Sequence, residues 1–282
     1  MFETFPPKSV VVGIDGSQAA VRAALWAVDE VAGTDVPLRL LYVRELSPTA
    51  SRSETRAAML TAEEAVYDAY NAINAVGKPV KVEMEIIEGR PVPALIHAME
   101  STPLICVGDT GSGRSSPAGF GSTVTELVHS AHCSVAVVRG DHDEQAERRW
   151  IVVHVDGSAD DADVLEFAFH EANRRNAPLV VMTAWPAGFD DLQNDRVIED
   201  HERRIRATLD RCIGLCTPHY PEVQVRTVAA HGTFLNYLTE HAKAIQLVVV
   251  GATQTSEVQQ LVGPNADHDA LRDSDFALVV VR

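Results

Sequence analysis

The chain is poor in lysine: four of its 282 residues are lysine, and 24 Lys+Arg against 40 Asp+Glu leave a formal charge of −16. Such a surface repels phosphate backbones and anionic lipid, so the overall charge speaks against nucleic acid or a membrane as partner. Cysteine is scarce too. Cys106, Cys133, Cys212 and Cys216 are too few and too scattered for a disulfide framework. No His-Glu-x-x-His pattern and no Cys/His spacing suited to zinc occurs, so no structural metal is expected. The chain lacks an apolar run near the roughly 18 residues of a membrane span, and MFETFPPKSV does not read as a secretion signal. A cytoplasmic location is therefore expected. No Gly-Lys-Ser/Thr ends a glycine loop, which excludes a Walker-type phosphate loop. What remains is a globular composition, 46% hydrophobic and 23% charged, with length enough for two domains that each bury a core.

The sequence repeats itself. Val10-Val11-Val12-Gly13-Ile14-Asp15-Gly16-Ser17 is answered by Ile151-Val152-Val153-His154-Val155-Asp156-Gly157-Ser158, 141 positions later. Pro37 to Val43 is answered at the same offset by Pro178 to Ala184. Gly89-Arg90 pairs with Gly232-Thr233, Ile105 to Gly108 with Val248 to Gly251, and Ser134 to Arg139 with Ala277 to Arg282, all 143 positions on. Common order and spacing define two domains, residues 1–140 and 150–282, joined by a polar linker at 141–149.

Within each copy strands and helices alternate. Val10–Ile14, Leu38–Val43 and Leu104–Val107 are short β-branched runs without polar alternation, as expected of strands covered on both faces of a parallel sheet. Ser17 is placed to cap a helix through Ala20, Ala24, Ala27 and Val28, and Ser158 to cap its counterpart through Leu165, Ala168 and Ala172. Met59, Ala62, Val66, Ala69, Ile73 and Val76 recur at helical spacing in between. The alternation predicts an α/β fold of two tandem doubly wound, Rossmann-like domains. Ligands of such sheets bind beyond the carboxyl ends of the strands, where strand order reverses.

A glycine loop follows the fourth strand of the first copy: Gly108-x2-Gly111-x9-Gly121-Ser122, with Gly113 and Arg114 inside it. Glycines let the backbone approach an anion, and a following helix N-terminus adds free N–H donors and a favourable dipole. Ser122 is suited to cap that helix or to bond a phosphate oxygen. A surface loop without a ligand fits the same residues, and Asp15 read alone is equally a turn or capping residue. With lysine absent from the loop, phosphate charge would fall to Mg²⁺, main-chain N–H groups and Arg114.

These motifs closely resemble the universal stress protein family in its tandem two-domain form. The resemblance rests on Val-Gly-Ile-Asp-Gly-Ser, Gly89-Arg90-Pro91, the Gly-x2-Gly-x9-Gly-Ser loop and His132-Cys133-Ser134-Val135-Ala136-Val137-Val138. It implies five strands per domain in the order 3-2-1-4-5 and an ATP site. In that site Asp15 and the main chain around Gly13 and Val43 would hold adenine and ribose. Val107, Gly108, Gly111, Gly113, Arg114, Gly121, Ser122 and Thr123 would surround ribose and phosphates. It also implies pairing of the fifth strands, Ser134–Arg139 and Ala277–Arg282, across a pseudo-twofold axis, within one chain or in a homodimer.

The second copy departs from the pattern, with His154 at the place of Gly13, Gln254 at that of Gly111, and Gly263-Pro264 at that of Gly121-Ser122. A side chain and a residue without N–H stand where phosphate would be, so weak or absent nucleotide binding is expected there. The expected function is a nucleotide-dependent stress-response regulator with an unidentified protein partner and no catalytic residues. The alternatives are an ATP-dependent enzyme with slow hydrolysis, or a nucleotide-free dimerisation scaffold. His129 and His132 read as helix-end residues.

Overall fold

Where the first strand becomes the first helix, Gly16 takes a left-handed backbone (φ +83°) and Ser17 accepts from Ala20 N–H at 3.1 Å, capping the helix as its residue type predicts. A computed structural model describes residues 9–45, 49–111, 120–140, 149–158, 160–185, 195–262 and 275–282. The expected linker, Arg149 apart, lies outside them, as do Gly113, Arg114, Gly263 and Pro264. The chain divides into two compact units, Met1–His142 and Asp143–Arg282.

Unit 1 runs β1 (Val10–Ile14), α1 (Gln18–Val31), β2 (Leu38–Arg44), α2 (Arg52–Val76), β3 (Val82–Glu88), α3 (Pro91–Ala98), a 3-10 turn (Met99–Ser101), β4 (Leu104–Gly108), α4 (Ser122–Ser130) and β5 (Ser134–Val138). Its strands lie in the order β3-β2-β1-β4-β5 with every pair parallel, the order that the resemblance implies. Unit 2 repeats it: β6 (Trp150–His154), α5 (Asp161–Arg174), β7 (Leu179–Trp185), α6 (Asp195–Cys216), β8 (Val225–His231), α7 (Phe234–His241), β9 (Ile245–Gly251), α8 (Thr255–Val262) and β10 (Ala277–Val281). Its order is β8-β7-β6-β9-β10, again parallel. Registers match across the repeat: Gly13 faces Leu41 as His154 faces Met182.

The central strands are buried throughout, which is why they read as unbroken apolar runs. The outer strands β3 and β8 are the exceptions. β3 reads Val-Glu-Met-Glu-Ile-Ile-Glu, and two of its glutamates, Glu85 and Glu88, are answered by Arg39 and Arg44 of β2. On α1 five of the eight buried residues are alanine (Ala19, Ala20, Ala23, Ala24, Ala27), beside Trp26, Val28 and Val31, so the backbone can approach the sheet closely at its first turns. A Cβ at Gly108 would stand 2.5 Å from the carbonyl carbon of Ala19. Gly108 is therefore fixed by packing, whatever else it does.

Two expectations shift. Met59 and Val76 end the predicted stripe on α2, but both are exposed; the buried positions are Ala62, Ala65, Val66, Ala69 and Ile73. Ser158 does not cap α5, which starts at Asp161 with Asp160 as N-cap residue. The Ser158 hydroxyl is engaged instead with the Asp161 carboxylate, to which it donates at 3.4 Å, and that carboxylate also accepts from Gly157 N–H of the preceding turn at 2.7 Å.

Candidate nucleotide site

At the carboxyl ends of β1, β2 and β4 the described residues enclose a cavity of about 730 Å³, within the range of small-molecule sites. Nine of the eleven expected residues line it: Gly13, Asp15, Val43, Val107, Gly108, Gly111, Gly121, Ser122 and Thr123. The other two, Gly113 and Arg114, lie outside the described residues. Strand order makes β1 the neighbour of both β2 and β4, so three chain segments far apart in sequence meet at one mouth.

The local chemistry suits an anion held by backbone. Asp15 Oδ1 accepts from Ser17 N–H at 3.0 Å, which fixes the carboxylate in the turn. The turn and site readings of Asp15 are thus compatible. A Cβ at Gly111 would stand 3.0 Å from Asp15 Oδ2, so the loop passes directly over the carboxylate. Gly121, not Ser122, is the N-cap residue of α4, and it supplies no side chain to the first-turn N–H groups. Ser122, Thr123 and Val124 all line the cavity, so the donor end of α4 opens on it. His129 ends that helix, with Nδ1 2.7 Å from Thr125 O.

Sequence reading missed Arg44. It is the only cationic residue among the described lining residues, it is buried, and it is held by Glu88 and by the carbonyl of Thr55, to which Nη1 donates at 3.0 Å. Nothing in the run Leu-Arg-Leu-Leu-Tyr-Val-Arg distinguishes it before β3 is placed beside β2. Pro91, Leu95 and Ala58 add apolar wall from α3 and α2, and Thr61 of α2 adds a hydroxyl-bearing side chain.

In unit 2, polar side chains stand at described positions that are glycine or alanine in unit 1. His154 stands where Gly13 does and is 2% exposed. Its Nε2 accepts from Ala184 N–H at 3.4 Å, and its ring lies 4.8 Å from that of Phe234. Ala184 is the counterpart of Val43. With Nε2 an acceptor, Nδ1 carries the proton and donates to Gln254 Oε1 at 3.3 Å. That oxygen also accepts from Gly251 N–H at 3.2 Å, while Gln254 Nε2 donates to His154 O at 3.1 Å. Asp161 replaces Ala20, which lines the unit 1 cavity. Its carboxylate accepts from the N–H groups of Asp156 and Gly157, and burial pushes its pKa up. An imidazole thus bonds the main chain at the end of β7, and a carboxylate takes two main-chain N–H groups of the turn between β6 and α5.

Family models and relatives agree with this architecture. The universal stress protein family model matches twice, at residues 7–139 and 147–282. The chain belongs to the universal stress protein family. Universal stress protein Rv2028c of Mycobacterium tuberculosis is 41% identical over 285 residues, covering 100% of this chain and 98% of that protein. Universal stress protein Rv2624c of the same organism is 36% identical over 277 residues, covering 98% and 96%. Among solved structures, a universal stress protein from Archaeoglobus fulgidus superposes with TM-score 0.68 at 18% identity, covering 99% of this chain and 97% of its own; this supports the fold. In this universal stress protein, no helix among the described residues is long and apolar enough to cross a membrane.

Proposed function

We propose that unit 1 binds ATP, that unit 2 does not, and that the protein acts through this single occupancy as a regulatory module and not as an enzyme. The observation that carries the reading is the convergence of Asp15, the end of β2 and the glycine loop with the donor end of α4 on one 730 Å³ cavity. Apolar wall from Leu95, Ala58 and Val43 suits a base. The N–H groups of Gly111 and of the first turn of α4 suit phosphates in a chain of net charge −16, where few cations are at hand.

Magnesium would enter with the phosphates. Among the described residues no group of three His, Cys, Asp or Glu is placed to hold a metal ion, so the nucleotide would supply most of its oxygen ligands. Asp15, Glu45, Thr110, Ser122 and Thr123 are among the wall residues whose side-chain oxygens could complete that shell. A binding role is supported by Asp15 itself, whose Oδ1 is tied into the turn, and by the absence of histidine from the described lining residues. Nucleotide occupancy biases a protein-facing conformation only in so far as the two states differ in nucleotide affinity.

The test is chemical. Protein purified from its host is denatured and the released small molecules are identified by mass spectrometry. An adenine nucleotide is expected from the wild type and none from Gly121→Glu, whose carboxylate would enter the phosphate space. Wild-type protein that releases no nucleotide and takes up none in titration would refute the proposal.

A further inference from the structure

The glycine loop is tied at both ends by side chains that do not line the cavity. Asp109 follows β4 directly and is 8% exposed. Its N–H donates to Val138 O at 3.1 Å, and its Oδ2 accepts from Arg139 Nε at 3.1 Å, with both side chains 12% exposed. From α1, Arg22 Nη2 comes within 4.0 Å of Asp109 Oδ1. The Arg139 guanidinium lies 4.5 Å from the ring centroid of Phe120, at the far end of the loop. Gly121 N–H then donates to Asp109 O at 2.9 Å. Entry and exit of the loop are thereby closed on each other by an ion pair, a cation–π contact and a main-chain bond.

A buried ion pair alone says little, since many are structural. The repeat supplies the control. In unit 2 the strand-end bond is kept, Ala252 N–H to Val281 O at 2.9 Å, but Ala252 replaces Asp109 and Asp163 replaces Arg22. The sheet closes without the carboxylate, so the fold does not require it. The carboxylate occurs in the unit whose loop keeps its glycines.

We infer that Asp109, Arg139 and Phe120 are positioning residues that hold the two ends of the loop at the spacing a polyphosphate needs. This rests on the ATP reading of unit 1 and deepens it. Glycine loses more backbone entropy than any other residue on being fixed, so fixing the ends of a glycine-rich loop in advance removes part of the cost of binding an anion.

The full-length protein is titrated with ATP and with adenosine, for wild type, Asp109→Asn, Arg139→Gln, the double variant and Phe120→Leu. Asp109→Asn is expected to weaken ATP about tenfold while adenosine changes less than about twofold, because the clamp acts on the phosphate loop and not on the base wall. The double variant should be no weaker than the worse single, as residues acting through one contact are non-additive. Equal losses for ATP and adenosine, or no loss in any variant, would overturn the inference. Phe120→Leu keeps an apolar group at a half-buried site; should the charged variants fail to fold, its ATP-to-adenosine ratio decides alone. Wild-type protein that binds neither ligand removes the ATP reading itself, whereas wild-type binding with an unchanged ratio in the variants removes only the clamp.

Discussion

The two units share strand order, register and the Asp-Gly-Ser turn, yet one ends in a cavity and the other in a hydrogen-bonded plug. Three exchanges make the difference: Gly13 for His154, Ala20 for Asp161 and Gly111 for Gln254. Each puts a polar side chain where unit 1 has none, and each added group finds a partner inside its own unit. Main-chain donors at such strand ends must be satisfied by ligand, water or side chains. Unit 2 does so from within, with an imidazole, an amide and a carboxylate.

The comparison breaks most sharply if the plug is moved. Gly13→His together with Gly111→Gln in unit 1 should abolish ATP binding, with affinity falling at least about a hundredfold from steric filling and loss of backbone approach. Calorimetric titration checks this. Retained affinity would mean that the cavity is not the nucleotide site.

Next in size is the buried charge cluster of unit 2. Glu171 is fully buried against Arg174 and Arg175, at 2.5 and 2.9 Å. Burial alone would raise its pKa, but the hydrogen bond with His170 and the charges of Arg175 and Arg174 outweigh it and hold the carboxyl well below the usual carboxylate range. Its stabilisation is therefore present above the unfolded pKa near 4.3 and is lost only as pH falls through the lower folded value. Glu171→Gln should cost about 3 kcal/mol at pH 7, read from denaturant midpoints, and the gap to wild type should narrow only below about pH 4. Gln254→Gly, which removes three side-chain hydrogen bonds, should destabilise unit 2 by about 2 kcal/mol. The smallest contrast concerns the two serines: Ser17→Ala should cost about 1 kcal/mol, and Ser158→Ala less than about 0.5, because only Ser17 accepts from its helix.

The repeat made much of this legible in advance. β1 begins and ends where its β-branched run does, and β2 and β4 extend theirs by one residue. Glycine spacing after a buried strand marked the loop, although Gly108 is required by its packing against α1 as well. What could not be read depends on pairs that only folding brings together. Arg44 needs Glu88 and Asp109 needs Arg139, 44 and 30 positions away in sequence. His154 and Gln254 were legible as departures from glycine, but their bond to each other spans 100 positions. Ser158 misled because capping was read from residue type, while the competing acceptor Asp161 acts through a turn.

Nucleotide stoichiometry on the intact chain tests the central claim most directly. Titration of nucleotide-free protein with Mg-ATP should saturate at one ATP per chain. Saturation at two would show that the His154 and Gln254 plug opens to ligand, and no uptake would show that the unit 1 cavity serves something other than ATP.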